Sequence, residues 1–242
     1  TWIIVSLAIG LSIGFSALIA FVSGLTSDSW NSTVRAAFDP VLTTNSGSLF
    51  GSILLMVFGV TAVTSEYSSG MIRTTFISNP RRNQVFAAKA AVVALLGLAI
   101  TAISIPGMFL VSQPIFAYYG LPTANFTDSS TYRILIAIIL TQMLNYALFP
   151  FAIAWLLRSA ASAITVSLGI MWLPWMIGPI VPDVVKQNVL RYLPDVAANS
   201  LSGITKTDAL QYLGHAPAVM VIATWLLGSL LAAAIVVNRR DV

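Results

Sequence analysis

Residues 65–89 read SEYSSGMIRTTFISNPRRNQVFAAK and lie between two long apolar runs. This stretch holds four of the twelve basic residues and the single glutamate of the sequence, Glu66. Apolar side chains repeat in it at four-residue spacing, as in Ile72 and Phe76, which places them on one face of a helix. Pro80 ends that helix, since proline disfavours helical conformation in the residue before it. The pattern predicts a short amphipathic helix that lies along a membrane surface.

The composition of the chain points to a membrane protein. Hydrophobic residues make up 57% of the sequence and charged residues 8%, against about 25% charged in an ordinary soluble domain. Several apolar runs approach the roughly 20 residues that a helix needs to cross the hydrocarbon core. We therefore predict an all-α membrane protein, a single transmembrane domain over 1–242. Its six spans are expected at about 2–22, 47–63, 85–111, 133–157, 160–177 and 216–237.

Two further segments carry their own predictions. The stretch 65–84 is expected to form a surface segment between the second and third spans. Between 179 and 214, Val185, Val189 and Leu193 repeat at i, i+4 and i+8, which predicts a short amphipathic or re-entrant helix on the opposite side.

The distribution of charge predicts how the chain crosses the membrane. The side that contains 65–89 would hold seven basic residues and two acidic ones, whereas the other side would hold five basic and six acidic residues. Cytoplasmic loops carry an excess of lysine and arginine. We therefore expect both termini in the cytoplasm of a multi-pass cell-membrane protein, in a bacterial inner membrane.

Several kinds of chemistry are missing from the sequence. It has no cysteine and no G-x-x-x-x-G-K-[ST] motif, so it lacks a thiol nucleophile and a P-loop. No ionisable residue falls in the middle of a predicted span, which counts against ion-coupled transport. Gln142 and Asn145 lie within the fourth span. We interpret them as interhelical hydrogen-bonding groups, with contact to a substrate as the alternative.

Small residues in the first span predict a packing face. Gly10 and Gly14 form a small-xxx-small pair that would permit close approach of another helix, with Ser12 and Ser16 beside it.

The order of span, basic amphipathic segment and span resembles the permease subunits of ATP-binding cassette (ABC) transporters of the type-2 exporter family. In that family a glutamate and a glycine precede a basic, hydrophobic run, a proline–arginine turn follows, and a helix opens near a lysine. The sequence of residues 239–242, RRDV, also resembles the C-terminal end of the family. The sequence starts at Thr1 rather than methionine. We therefore expect it to lack its N-terminus, and with it the amphipathic helix that precedes the first span in the family.

The resemblance implies a fold and a function. The fold would be the type V exporter-like permease domain, with a cytoplasmic coupling helix on which a separate ATPase subunit docks. The chain would not be an enzyme and would hold no cofactor, while ATP and Mg²⁺ would bind the partner ATPase. The residues that the resemblance assigns to coupling are Glu66, Tyr67, Gly70, Met71, Arg73, Pro80, Arg81 and Lys89. We expect Glu66 and Arg73, seven residues apart, to lie on one helix face.

The resemblance also implies a dimer, made with a second copy or a related permease chain. Because no span shows a polar face, we expect an apolar or amphipathic cargo to pass between two chains rather than through one. Spans two and five would face each other there. Their methionine and aromatic side chains suit a tolerant apolar site: Leu54, Met56 and Phe58 on the second span, and Met171, Trp172 and Met176 on the fifth.

Other interpretations of the same residues stay open. The basic side chains of 65–89 could fix the topology and contact lipid phosphates only. The chain could be an ion-coupled secondary transporter, or a membrane scaffold subunit that transports nothing. No feature predicts binding of nucleic acid or of a metal.

Overall fold

The computed structural model of the chain describes residues 2–78, 81–124, 126 and 129–239. Within these residues it is all-helical, and six helices are long and apolar enough to cross a membrane. That prediction from the sequence is confirmed. The helices are α1 (Trp2–Thr26), α2 (Ser32–Ala37), α3 (Pro40–Asn45), α4 (Ser48–Ser68), α5 (Met71–Ser78), α6 (Arg82–Tyr118), α7 (Ser129–Met143), α8 (Phe149–Leu157), α9 (Ala160–Ile177), α10 (Asp183–Asn188), α11 (Pro194–Leu201) and α12 (His215–Arg239).

The fourth long helix is not uniform. Helices α7 and α8 are joined by a π-helical turn, Leu144–Leu148, so that together they run over 29 residues. Pro150, the second residue of α8, has no N–H to donate to the carbonyl of Tyr146, which favours a local widening of the helix. A Cβ built on Gly59 of α4 would lie 2.3 Å from the carbonyl oxygen of Ala147. The π-helical turn therefore packs directly against the backbone of α4.

Helix α6 is longer than the sequence predicted. It spans 37 residues, about 55 Å at 1.5 Å per residue, and it ends at Tyr118 rather than near Val111. Pro106 and Pro114 both lie inside it. Its last turns are stabilised by tertiary contacts, since the fully buried ring of Phe116 packs against Ala20 of α1. Local sequence signals therefore do not set this helix end.

Contacts between α1 and α4 correct the predicted packing of the first span. A Cβ on Gly51 would lie 1.8 Å from the Ser12 hydroxyl, and one on Gly47 would lie 2.6 Å from the Ser16 backbone. Ser12 and Ser16, rather than the glycine pair, therefore carry the close approach. Both glycines of that pair, Gly10 and Gly14, are exposed with open space around them.

One end of the bundle, which we call the basic end, gathers the described part of 65–89 and the ends of several long helices. Ile4 of α1 lies beside Lys89 of α6, and Arg82 donates a 3.1 Å hydrogen bond to the carbonyl of Val237 in α12. The guanidinium of Arg158, in the turn between α8 and α9, lies 5.2 Å from the ring centre of Tyr67 in α4. The first and last long helices therefore reach the same end of the bundle.

The segment between α9 and α12 folds into the opposite half of the bundle. The indole of Trp225, ten residues inside α12, donates a 2.8 Å hydrogen bond to the carbonyl of Tyr192. Asn145, near the middle of the α7–α8 span, donates to the carbonyl of Pro194 at 3.1 Å. This segment therefore reaches the middle depth of two long helices before α11 turns back.

The helix predicted from the spacing of Val185, Val189 and Leu193 is interrupted in the structure. Helix α10 ends at Asn188, a 3₁₀ turn covers Leu190–Tyr192, and α11 starts at Pro194. Leu190 is the buried residue of this stretch, whereas Val189 is exposed. Burial therefore does not follow the four-residue spacing from which the helix was predicted.

Candidate functional site

The basic end is built around an ion pair between two long helices. Lys89 Nζ of α6 lies 2.5 Å from Glu66 Oε1 of α4 and 3.3 Å from the carbonyl oxygen of Ala62. Both charged side chains are largely buried against the bundle. Two of the residues that the resemblance assigned to coupling are thus brought into contact. Their geometry suits a brace that fixes α4 to α6.

An aromatic cluster reinforces this brace. Tyr67 packs edge-on against Trp155 of α8, with ring centres 5.9 Å apart. Phe86 of α6 contacts both Trp155 and Phe151, at 5.8 and 5.7 Å. Ring contacts of this kind add to the apolar burial of each side chain. The end of α4, the start of α6 and the end of α8 therefore form one packed platform.

Helix α5 lies on this platform and exposes its other face. Ile72 is buried and Phe76 is partly buried against the core, as their spacing predicted. On the other side Met71 and Arg73 are exposed, and Ile77 has 83% of its surface exposed. Exposed apolar side chains next to a basic one make α5 suitable for contact with a partner or a lipid surface.

The expectation that Glu66 and Arg73 share a helix face is wrong. Helix α4 ends at Ser68, and Gly70 has a φ of +71° before α5 begins. Glycine adopts this left-handed conformation without steric cost, and it terminates helices for that reason. Glu66 therefore faces α6, whereas Arg73 belongs to a separate, exposed helix.

Of the two remaining predicted coupling residues, one is described by the structure. Arg81 is exposed directly before α6. Pro80 lies outside the described residues, as do the last three residues, which contributed to the resemblance at the C-terminal end.

The opposite half of the bundle contains a cavity of about 470 Å³. Its walls come from α1, α3, α4, α7, the π-helical turn, α9 and α11. Two residues of the predicted substrate path, Met171 and Trp172 of α9, line it. The expectation that no span has a polar face is wrong, because polar side chains from α4, α7 and the π-helical turn line the same cavity: Ser48, Ser52, Thr141, Gln142, Asn145 and Tyr146.

The other residues of the predicted path do not reach this cavity. Met56 is fully buried and Phe58 is 5% exposed, and both pack in the core of their own chain. Leu54 packs against that core, and Phe58 lines a second cavity, of about 450 Å³, beside Lys89. Met176 is 69% exposed on the outside of α9. Met56 and Phe58 therefore pack within their own chain, because α4 lies inside the bundle.

The carboxylate of Asp195 is the central polar group of the cavity. Its Oδ1 accepts a 2.8 Å hydrogen bond from the Tyr146 hydroxyl, and its Oδ2 accepts one from Asn199 Nδ2 at 3.1 Å. Protein atoms surround the group, yet part of its surface faces the cavity. Burial raises the pKa of Asp195 above its ordinary value, and the two hydrogen bonds oppose that rise.

Asp195 was not predicted as a site residue from the sequence, where it is one of the six acidic residues on the side opposite 65–89. A usable signal was present, since Pro194 followed by an acidic residue is typical of the first turn of a helix. Asn199 lies four residues later, on the same helix face. What the sequence could not show is that the π-helical turn brings Tyr146 to this carboxylate.

The chain matches no protein-family model, no curated protein and no solved structure. The resemblance to type-2 exporter permeases therefore rests on the sequence patterns alone, those of 65–89 and 239–242.

Proposed function

We propose that this chain is the transmembrane permease subunit of an ABC exporter in a cell membrane. The cavity holds the cargo, and a separate ATPase subunit docks on α5 at the basic end. ATP and Mg²⁺ bind to that partner subunit. The orientation follows from the excess of basic residues at this end, which favours the cytoplasmic side.

One observation supports this function most strongly: a single helix joins both sites. Helix α4 lines the cavity with Ser48 and Ser52, and it is braced to α6 through Glu66. From Ser52 to Glu66 the helix rises about 21 Å, and α5 follows its end after a two-residue turn. A force applied to α5 would therefore act on the helix that forms the cavity wall. Because protein interiors are closely packed, such a displacement is transmitted rather than absorbed.

Exposed apolar surface supports pairing with a second permease chain. Gly10 and Gly14 leave open space on the outer face of α1, and small residues at four-residue spacing permit close approach of helices in lipid. We therefore place the partner chain on α1, in place of the interface first expected between spans two and five.

The docking surface can be tested by crosslinking, because the chain has no native cysteine. Ile77→Cys would carry a photoactivatable crosslinker at the most exposed apolar position of α5. The matched variant is Thr207→Cys, exposed in the segment between α11 and α12. In intact cells Ile77→Cys should crosslink to a P-loop ATPase that copurifies with the chain, and Thr207→Cys should not.

The same two variants test the orientation. A membrane-impermeant maleimide should label Thr207→Cys from outside the cell and should reach Ile77→Cys only after the cells are opened. Labelling of Ile77→Cys in intact cells, or equal crosslinking of both variants to the ATPase, would contradict the proposal.

A second function is favoured by one specific observation. Asp195 supplies an ionisable group in the cavity, and such groups occur in the relays of ion-coupled transporters. A secondary transporter would use a proton gradient instead of ATP. The two functions differ in their energy source, which can be measured directly.

A further inference from the structure

Asp195 has no charged partner among the described residues. The two ion pairs found there are Glu66 with Lys89 and Asp183 with Lys186. No lysine or arginine lines the cavity, so the nearest groups to this carboxylate are neutral. An unpaired charge that is surrounded by protein is costly. A positively charged ligand would compensate it.

Three asparagine side chains of the cavity wall, Asn45, Asn145 and Asn199, each leave an acceptor free. Asn145 donates to a backbone carbonyl and Asn199 donates to a carboxylate. Since both of these partners accept, the orientation of each amide is fixed, and its oxygen is left as an acceptor beside the second N–H. Asn45, which also lines the cavity, has a buried side-chain oxygen without a hydrogen-bond partner in the described part of the chain. This wall is suited to a ligand that donates hydrogen bonds.

Aromatic rings line the same cavity as the carboxylate. Trp172 and Trp175 of α9 and Phe15 of α1 form part of its wall, together with Tyr146 and Asp195. Tryptophan is the strongest aromatic partner for a cation. The volume of about 470 Å³ is in the range of about 300–1,000 Å³ that holds drug-sized ligands.

We propose that the cavity binds an aromatic or otherwise apolar amine in its ammonium form. The N–H groups of the ligand donate to Asp195 and to the free amide oxygens, and its apolar part packs against Trp172 and Trp175. This proposal rests on the proposed function in that the cavity holds the cargo, and it names the chemical class of that cargo. An anionic cargo is excluded by the same wall, because no basic side chain lines it.

Binding can be measured on the unmodified chain in nanodiscs of neutral lipid. The probes are monodansylcadaverine, a fluorescent primary amine, and its N-acetylated derivative, which has the same ring but no charge. Empty nanodiscs give the partition of each probe into lipid, which is subtracted. The amine should bind to the protein at least tenfold more tightly than the acetylated compound. Equal binding of the two probes, or binding of neither, would overturn the proposal without any variant.

Variants then locate the site. Asp195→Asn removes the charge while keeping the shape of the side chain, and it should remove most of the preference for the amine. Asp183→Asn is the matched control, since Asp183 is an exposed acidic residue of α10 that pairs with Lys186. It should leave the preference unchanged. If Asp195→Asn folds, as judged by gel filtration, and still prefers the amine by the same factor, the assignment to Asp195 is wrong.

The outcome is separable from that of the proposed function, because binding is measured without the ATPase. An amine-selective chain that never crosslinks to an ATPase would keep this proposal and contradict the exporter function. A chain that docks an ATPase but binds both probes equally would keep the exporter function and contradict the amine proposal.

Discussion

The hydroxyl of Tyr146 donates a 2.8 Å hydrogen bond to the carboxylate of Asp195, 49 residues further along the chain. This bond joins the π-helical turn of the fourth span to α11, which enters the bundle from the side opposite the basic end. Together with the bond from Asn145 to the Pro194 carbonyl, it fixes α11 against the fourth span. The cavity wall therefore depends on contacts between segments that are distant in sequence.

Replacement of Tyr146 by phenylalanine tests this contact. The change removes one hydrogen bond to a carboxylate, and we expect the free energy of unfolding to fall by about 1.5–3 kcal/mol. Tyr132→Phe is the control, because Tyr132 is exposed at the start of α7. The stability of both variants is measured by thermal unfolding in detergent. If the two variants lose the same stability, the bond to Asp195 contributes little.

The stability of the protein should depend on pH through Asp195. Its pKa in the folded chain lies above the ordinary value of 3.8, so the folded chain binds this proton more tightly than the unfolded chain does. The contribution is therefore fully present below pH 3.8 and is lost as the pH rises through the raised pKa. Tyr146 is the other titratable group that faces the carboxylate.

Asp195→Asn removes this titration. We expect the unfolding temperature of the variant, relative to the original chain, to rise as the pH is increased from 4 to 7. Asp183→Asn should show no such trend. A difference between Asp195→Asn and the original chain that does not change with pH would contradict this assignment.

The ion pair between Glu66 and Lys89 should show strong coupling. Glu66→Ala leaves the lysine without its carboxylate partner in a largely buried place, and we expect a loss of about 1–3 kcal/mol in the free energy of unfolding. The reciprocal variant Lys89→Ala should lose a similar amount. The double variant should lose less than the sum of the two, because the second change no longer breaks a contact. Additive losses would show that the two residues act independently.

Pairing of two permease chains can be tested at the open glycines. Nothing lies within 4 Å of a Cβ built at Gly14 of α1 or at Gly228 of α12, so either position accepts leucine within one chain. We expect Gly14→Leu to weaken self-association and Gly228→Leu to leave it unchanged. Self-association is measured by energy transfer between labelled chains in vesicles. Unchanged association of Gly14→Leu would place the partner chain on another face.

Residues that repeat with helical period made the long helices and the inner face of α5 predictable. Ile72 and Phe76 show the expected burial because their spacing alone sets a helix face. The cavity was not predictable in this way. Its wall needs the π-helical turn at Leu144–Leu148 and the packing of α11 against it, and both are decided by tertiary contacts such as those of Gly59 with Ala147 and of Asn145 with Pro194. The break at Gly70 was visible as a glycine, but its consequence for Glu66 and Arg73 required the structure.

The central claim is that ATP hydrolysis by a docked partner drives an amine cargo through this chain. Accumulation of monodansylcadaverine in inside-out membrane vesicles, with a proton uncoupler present, tests it most directly. We predict that accumulation requires ATP, continues with the uncoupler, and is lost in Ile77→Glu, which places a charge on the docking face of α5. Accumulation without ATP that is driven by an imposed proton gradient and abolished by the uncoupler would contradict the account.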